Sequence, residues 1–386
     1  MISRLAIISR TTDCGLAMTG SEDLRAWEKI RTLVPQSNLN YLSVYIGIEE
    51  SNTISPGQQL MMTNLAPPQI RATTGLELAA GIFTKCSDQL ASQLSISLTS
   101  GRREAKQTPL RVGINGDVYG GMRAPIEVGT RRVDIAYVNP SAMVAMAYRG
   151  KGYFKQKMGL RILGCFPSWD RIALVVSKDL KVKSLHDIAR RKIPLRISTR
   201  FSGVNNATYY TIETILSFYG ISFGKIRRWG GKVQECPRPD APQRRKGIAE
   251  HSLTAVFDEG ISTVGGWLDQ ALENGYEIIP LEANIVKKLE RLGYSGTVLP
   301  QSRYRQLNQD VPTIDFSGWA LVTHKWLPDR VAYAAIETID AKQKLIPVDD
   351  DEPLNMRELC QGSEKCPLRV PLHPGAQKYY KEKGYL

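Results

Sequence analysis

The sequence holds no continuous apolar run of about 18 residues, so no transmembrane helix and no membrane insertion of its own are expected. Histidine is scarce: four in 386 residues, scattered at His186, His251, His324 and His373. There is no G-x-S-x-G elbow, no P-loop and no H-E-x-x-H, which leaves serine hydrolase, P-loop and zincin chemistry without a carrier. Gly113, Gly116, Gly120 and Gly121 lack the dinucleotide spacing. The six cysteines include no C-x-x-C pair, and Cys360, Cys366 and His373 match no common zinc pattern. No metal and no cofactor is expected. Free thiols are the default in the cytoplasm, and a local disulfide between Cys360 and Cys366 is the alternative in an oxidising compartment.

What is present is an ordinary globular composition, 42% hydrophobic, long enough for a two-lobed unit or for two or three domains. A net charge of +13 favours anionic partners. Its densest region, 225–246, is broken by Pro237, Pro239 and Pro242 and carries no nucleic-acid signature, so it reads as a solvated surface segment and no nucleic-acid partner is expected. The first thirty residues carry Arg4, Arg10 and Asp13 around a short apolar patch, too broken for a secretory h-region. As written, the chain is expected in the cytoplasm. Initiation at Met61 or Met62 would remove the first residues without exposing a signal peptide.

The most informative stretch is 195–221, which reads as a strand, a polar loop and a helix. Ile212, Ile215, Leu216 and Tyr219 recur at helical spacing, Gly220 marks the stop, and Asn205, Asn206 and Thr208 supply short capping side chains. A helix start leaves four N–H groups at the positive end of the dipole, so such a loop is either a plain capped helix or a cradle for a carboxylate or phosphate. A second unit of this kind runs from the apolar strand at 133–138 through Asn139, Pro140 and Ser141 into a helix. Further strands are expected at 70–75, 110–116, 160–166, 171–177, 253–260, 276–281 and 317–324, alternating with helices at 22–33, 87–98, 184–190, 264–272, 284–292 and 328–340. This alternation implies open α/β sheets with covered faces and ligands gathered at the carboxyl ends of the strands.

Over residues 69–386 the ordered motifs resemble the TAXI-type solute-binding proteins that serve TRAP transporters, within the type II periplasmic-binding-protein fold. The family's first loop is matched by Thr74 and Gly75, then Gly81, Ile82 and Phe83, where Ile82 and Phe83 replace a small hydroxylic residue and a tyrosine and so lose a hydroxyl contact. Gly129, Asp134, Ala136, Tyr148 and Gly150 match the next motif, and Asn206, Ala207 and Thr208 stand in for a Gly-Ser-Gly-Thr loop. Pro300, Tyr304 and the run Asp310, Val311, Pro312, Thr313 follow, and the chain closes on Pro371, Leu372, His373, Pro374, Gly375 and Ala376. The resemblance implies two α/β lobes hinged around a central cleft, one at 66–168 with 314–386 and the other at 169–313, after an N-terminal extension at 1–65 of unknown role. It also implies a small organic acid as ligand, TRAP membrane subunits as partner, and a periplasmic location if the start is misassigned.

The expected ligand-binding set is therefore Thr74, Gly75, Gly81, Phe83, Asn139, Ser141, Arg171, Asn205, Asn206, Thr208, Glu259 and Trp267. Asp258 and Glu259 are strand neighbours and should point to opposite faces, so they do not form a shared-proton dyad. One of them facing the cleft would favour a ligand carrying an amino group or hydroxyls. Arg171, at the lobe crossing, suits either a bidentate ligand contact or an interlobe salt bridge, and Trp267 suits either stacking on a ligand or the core. The function expected is reversible capture of an amino acid, dicarboxylate or aromatic carboxylate for a TRAP-type transporter. The alternatives are a cytoplasmic enzyme on the same fold, such as an aromatic-acid decarboxylase, or a ligand sensor.

Overall fold

The computed structural model describes residues 120–202, 206–261, 265–345 and 354–386, with two short strands at 44–45 and 112–113. The elements expected at 22–33, 70–75 and 87–98 lie outside the described residues. The first part of the chain supplies β1 (Val44–Tyr45), β2 (Val112–Gly113), α1 (Gly120–Gly129), β3 (Ile135–Val138), α2 (Ser141–Arg149) and β4 (Leu160–Phe166). The middle supplies β5 (Asp170–Ser177), α3 (Leu185–Arg191), β6 (Arg196–Arg200), α4 (Ala207–Phe218), α5 (Phe223–Arg228), β7 (Lys232–Cys236), α6 (Pro242–Ala249), β8 (Ala255–Ile261), α7 (Trp267–Glu273), β9 (Tyr276–Ile278) and α8 (Ala283–Leu292). A hairpin of β10 (Gly296–Leu299) and β11 (Val311–Ile314) leads into β12 (Trp319–His324), followed by α9 (Asp329–Lys342), α10 (Met356–Gln361) and α11 (Pro374–Glu382).

Two five-stranded sheets result, ordered β1-β2-β3-β12-β4 and β7-β6-β8-β5-β9. In each, one strand runs against its neighbours and comes from the far side of a crossing: β12 is antiparallel to both β3 and β4, and β5 to both β8 and β9. This reciprocal exchange makes the chain a two-lobed α/β protein, as expected. Helices cover the sheets because the strands are apolar on both faces: β3 is buried at all four positions and β5 at every position but the last. One apolar cluster runs through both lobes, joining Met146 and Phe154 to Ile215 and Tyr294, so the lobes lie shut against each other.

The two crossings, residues 167–169 and 315–318, are laced together. Phe316 N–H donates to Asp170 O at 2.9 Å and Gly318 N–H to Ser168 O at 3.2 Å, while Asp170 N–H donates to Ser317 Oγ at 3.0 Å. Between them lies Asp315, whose Oδ1 accepts Arg171 Nη1 at 2.7 Å and whose Oδ2 pairs with Arg369 of the C-terminal segment. Arg171 is itself 1% exposed, stacks on Trp169 at 4.6 Å, and also reaches Ser317 Oγ and Glu364.

One sequence expectation is corrected. The basic region 225–246 is no loose surface segment: it contains β7 and α6, with Pro242 in the first helical turn and Arg244 wholly buried. Proline fits there because its missing N–H is one the first turn leaves unpaired anyway.

Removing one partner of a buried ion pair leaves the others desolvated and uncompensated. Asp315→Ala, which strands two arginines, should therefore lower unfolding stability by on the order of 3–5 kcal/mol in denaturant titration. Glu364→Gln, whose side chain is 68% exposed, should cost no more than about 1 kcal/mol.

Candidate functional site

The carboxyl end of β6 is the switch point of the second sheet, since β7 lies on one side of it and β8 on the other. There α4 begins. Asn206 Oδ1 accepts Tyr209 N–H at 3.0 Å, the capping bond its short side chain allows, and this fixes the helix entry. Facing it from the other lobe are the start of α1 and the β3–α2 turn. A Cβ built on Gly121 would run into Asn139 O and stand 3.0 Å from the Ala207 side chain, so only glycine lets these three backbones approach so closely. Two helix starts from opposite lobes and the β3–α2 turn thus converge on one place.

Beside this junction is a cluster of charge. Arg200, the last residue of β6, pairs with Glu259 and reaches Asp258 Oδ1 at 3.3 Å, while its Nη1 donates to Pro237 O at 3.1 Å. Thr208 Oγ1, in the first turn of α4, donates to Glu259 Oε2 at 3.2 Å. The two carboxylates, expected to point apart on the strand, share the Arg200 guanidinium. Asp258 also pairs with Arg244 at 2.5 Å.

Their environments separate them. Burial alone would raise Asp258, but the charges of Arg200 and Arg244 and the Glu259 N–H outweigh it and hold the carboxyl below its ordinary range. Burial pushes Glu259 up, the charge of Arg200 opposes this, and the charge of Asp258 adds to the rise, so that the net direction is upward.

Of the expected site residues, Asn206, Thr208 and Glu259 lie together at the α4 start, with Asn139 opposite them. Thr74, Gly75, Gly81, Phe83 and Asn205 lie outside the described residues. Ser141 is buried at the crossing instead, its hydroxyl donating to Ser317 O at 2.8 Å and accepting from Arg369 Nε at 3.1 Å. Arg171 is the interlobe salt bridge already described, with its guanidinium committed to Asp315, Ser317 and Glu364. Trp267 is core: it is 1% exposed, its indole N–H donates to Glu259 O at 2.8 Å, and Arg244 lies over its ring. The ring therefore positions the Glu259 backbone and is closed to a ligand.

Sequence reasoning missed Arg200, Arg244 and Arg369. Arg200 had a signal, as a cation closing a strand just before a capped helix. Arg369 had none, because its partners Ser141, Ser295 and Asp315 are distant in sequence.

The chain is thus a two-lobed α/β protein in which helix starts and a charged cluster meet between the lobes. Residues 119–384 match the family model of the NMT1-like family, and the chain belongs to that family. Among solved structures it is similar to a periplasmic transporter at 13% identity, covering 81% of this chain and 89% of the other with a TM-score of 0.32. It is similar to the periplasmic binding protein BugD at 11% identity, over 80% and 89% of the two chains, with a TM-score of 0.35. It is also similar to MatC from Rhodopseudomonas palustris with bound malate at 9% identity, over 89% and 97%, with a TM-score of 0.36. With TM-scores this low, the fold rests on the sheet topology and the family match.

Because the folded-state pKa of Glu259 is raised, the group costs the fold nothing below the unfolded value, an increasing amount as pH rises from the unfolded value towards the folded one, and a constant amount beyond it. Glu259→Gln should accordingly gain stability relative to the wild type between about pH 4 and about pH 7. Denaturant unfolding at the two pH values measures this, and a constant difference would mean that Arg200 compensates the charge in full.

Proposed function

We propose that the protein is a solute-binding protein that captures a small organic acid between its lobes and delivers it to a TRAP-type transporter, as the TAXI-type proteins do, from the periplasmic side of the membrane. The observation that carries this reading is the convergence of two helix starts from opposite lobes beside Arg200 and Thr208. Helix N-termini and an arginine are what a carboxylate needs, and a cleft closed by lobe movement needs no further chemistry. The membership of the NMT1-like family and the order of the motifs over the chain support it.

The ligand's carboxylate takes the α4 start and Arg200. Glu259, held against both, then faces the rest of the molecule. A ligand with an ammonium group satisfies it, and a dianion meets repulsion. An amino acid is the ligand class this favours over a dicarboxylate.

The test is a thermal-shift and native mass screen of the purified protein against amino acids, dicarboxylates and aromatic acids. A binder should raise Tm and be recovered intact; a compound that is consumed would replace the capture reading by an enzymatic one. Against the hit, Arg200→Gln should weaken binding by about 10- to 100-fold, the loss expected for a charge-assisted hydrogen bond. Glu259→Gln should weaken an amino acid and strengthen a dicarboxylate. Equal affinities in both variants would remove this cluster from the site.

A further inference from the structure

Two cysteines distant in sequence lie together. Cys165, on β4, and Cys366, in the segment between α10 and α11, are both fully buried. The backbone brackets them: Ser168 N–H donates to Lys365 O at 3.0 Å and Ile162 N–H to Pro371 O at 3.1 Å, so this segment lies along β4 over the stretch that holds both. Gly318, in the second crossing, marks the same spot, since a Cβ there would stand 2.7 Å from Cys165 Sγ and 2.8 Å from Pro367 Cδ. Both side chains belong to one apolar cluster, and the Cys165 thiol is the largest of the influences that push the Cys366 thiol up. Cys360 belongs to a different cluster and its Sγ contacts the carbonyls of Arg357 and Tyr385, at 3.4 and 3.6 Å. The local Cys360–Cys366 bridge considered from the sequence is therefore not the one the fold prepares.

We propose that Cys165 and Cys366 form a disulfide that fastens the C-terminal segment to β4 when the chain folds in an oxidising compartment. The oxidant is a disulfide, either oxidised glutathione or a protein dithiol-disulfide oxidoreductase. One cysteine thiolate attacks it and releases one thiol, giving a mixed disulfide; the second thiolate attacks that bond and releases the other. One disulfide is made, one is reduced, and two protons pass to the departing thiolates. Exchange needs a thiolate, whereas burial and the neighbouring thiol hold Cys366 protonated once packed, so the reaction belongs to the chain before this segment docks.

What the bond fixes is the hinge. Glu364 and Arg369 flank Cys366 on either side, and each is a partner of the crossing: Glu364 of Arg171, Arg369 of Asp315. The segment has no strand ladder of its own beyond one isolated bridge, Leu372 to Ile162. A covalent tie between residues about 200 apart in sequence restricts the unfolded chain strongly, although native strain decides how much of that gain is realised.

The experiment uses the full chain, refolded from denaturant in a mixture of reduced and oxidised glutathione, alkylated, and mapped by mass spectrometry without reduction. The expected result is a linked peptide pair carrying Cys165 and Cys366, and a Tm on the order of 5–10 °C above that of the same protein with reductant. In Cys165→Ser and Cys366→Ser, reductant should leave Tm unmoved. Both thiols recovered alkylated after redox refolding, Cys366 linked to any other cysteine, or a linked protein whose Tm ignores reductant would overturn the proposal. Should the serine variants fail to fold, the peptide map and the reductant response of the wild type still decide it.

Discussion

Asp315 is the residue on which the two-lobed arrangement depends. Its carboxylate sits between two guanidiniums, Arg171 from the first crossing and Arg369 from the C-terminal segment, at the point where the chain passes between lobes. Arg369 adds a bond to Ser141 at the start of α2 in one lobe and another to Ser295 beside β10 in the other. One anion thus organises both crossings, the returning tail and a loop from each lobe. Such a cluster is costly to desolvate and stable only while complete, so it specifies one geometry more than it adds net stability. Rotation of the lobes has to be accommodated around it, in the backbone of residues 167–169 and 315–318.

The same arginine-carboxylate chemistry appears a second time with a different outcome. At the crossing, Arg171 is fully buried and its charge is shared among Asp315, Glu364 and Ser317. At the α4 start, Arg200 holds Glu259, a carboxylate whose ionised form its surroundings disfavour. The first pair is a fixture. Under the proposed reading the second is the exchangeable one, because an incoming carboxylate would offer Arg200 a like contact.

Much of the architecture was legible in the sequence. Apolar runs such as 160–166 and 171–177 became β4 and β5 nearly residue for residue, because a strand covered on both faces must be apolar throughout. Asn206 capped its helix as its short side chain suggested. What failed did so for physical reasons. Composition made 225–246 look like solvated surface, yet Arg244 is buried by three partners that neutralise and hydrogen-bond it: Asp258, Ser198 and Pro239 O. The short strands β10 and β11 were not anticipated, since Pro312 interrupts the pattern, although proline is tolerated on the short edge of a two-stranded sheet. Trp267 suited either ligand or core, and its burial and the direction of its N–H, toward the Glu259 carbonyl, make it core.

The site itself was legible by half, and the missing half has one cause. Local patterns reveal which backbone N–H groups a helix start leaves open, so Asn206 and Thr208 could be found. They do not reveal what is folded against that start. Arg200 reaches it from the end of β6, and Glu259, which the sequence did offer, is brought against Arg200 from β8, a neighbour of β6 only in the sheet. The candidate site is therefore a composite of one local feature and one created by strand order. Under the proposed reading, changing the loop would alter how a carboxylate is held, whereas changing β8 would alter which charge the rest of the ligand has to carry.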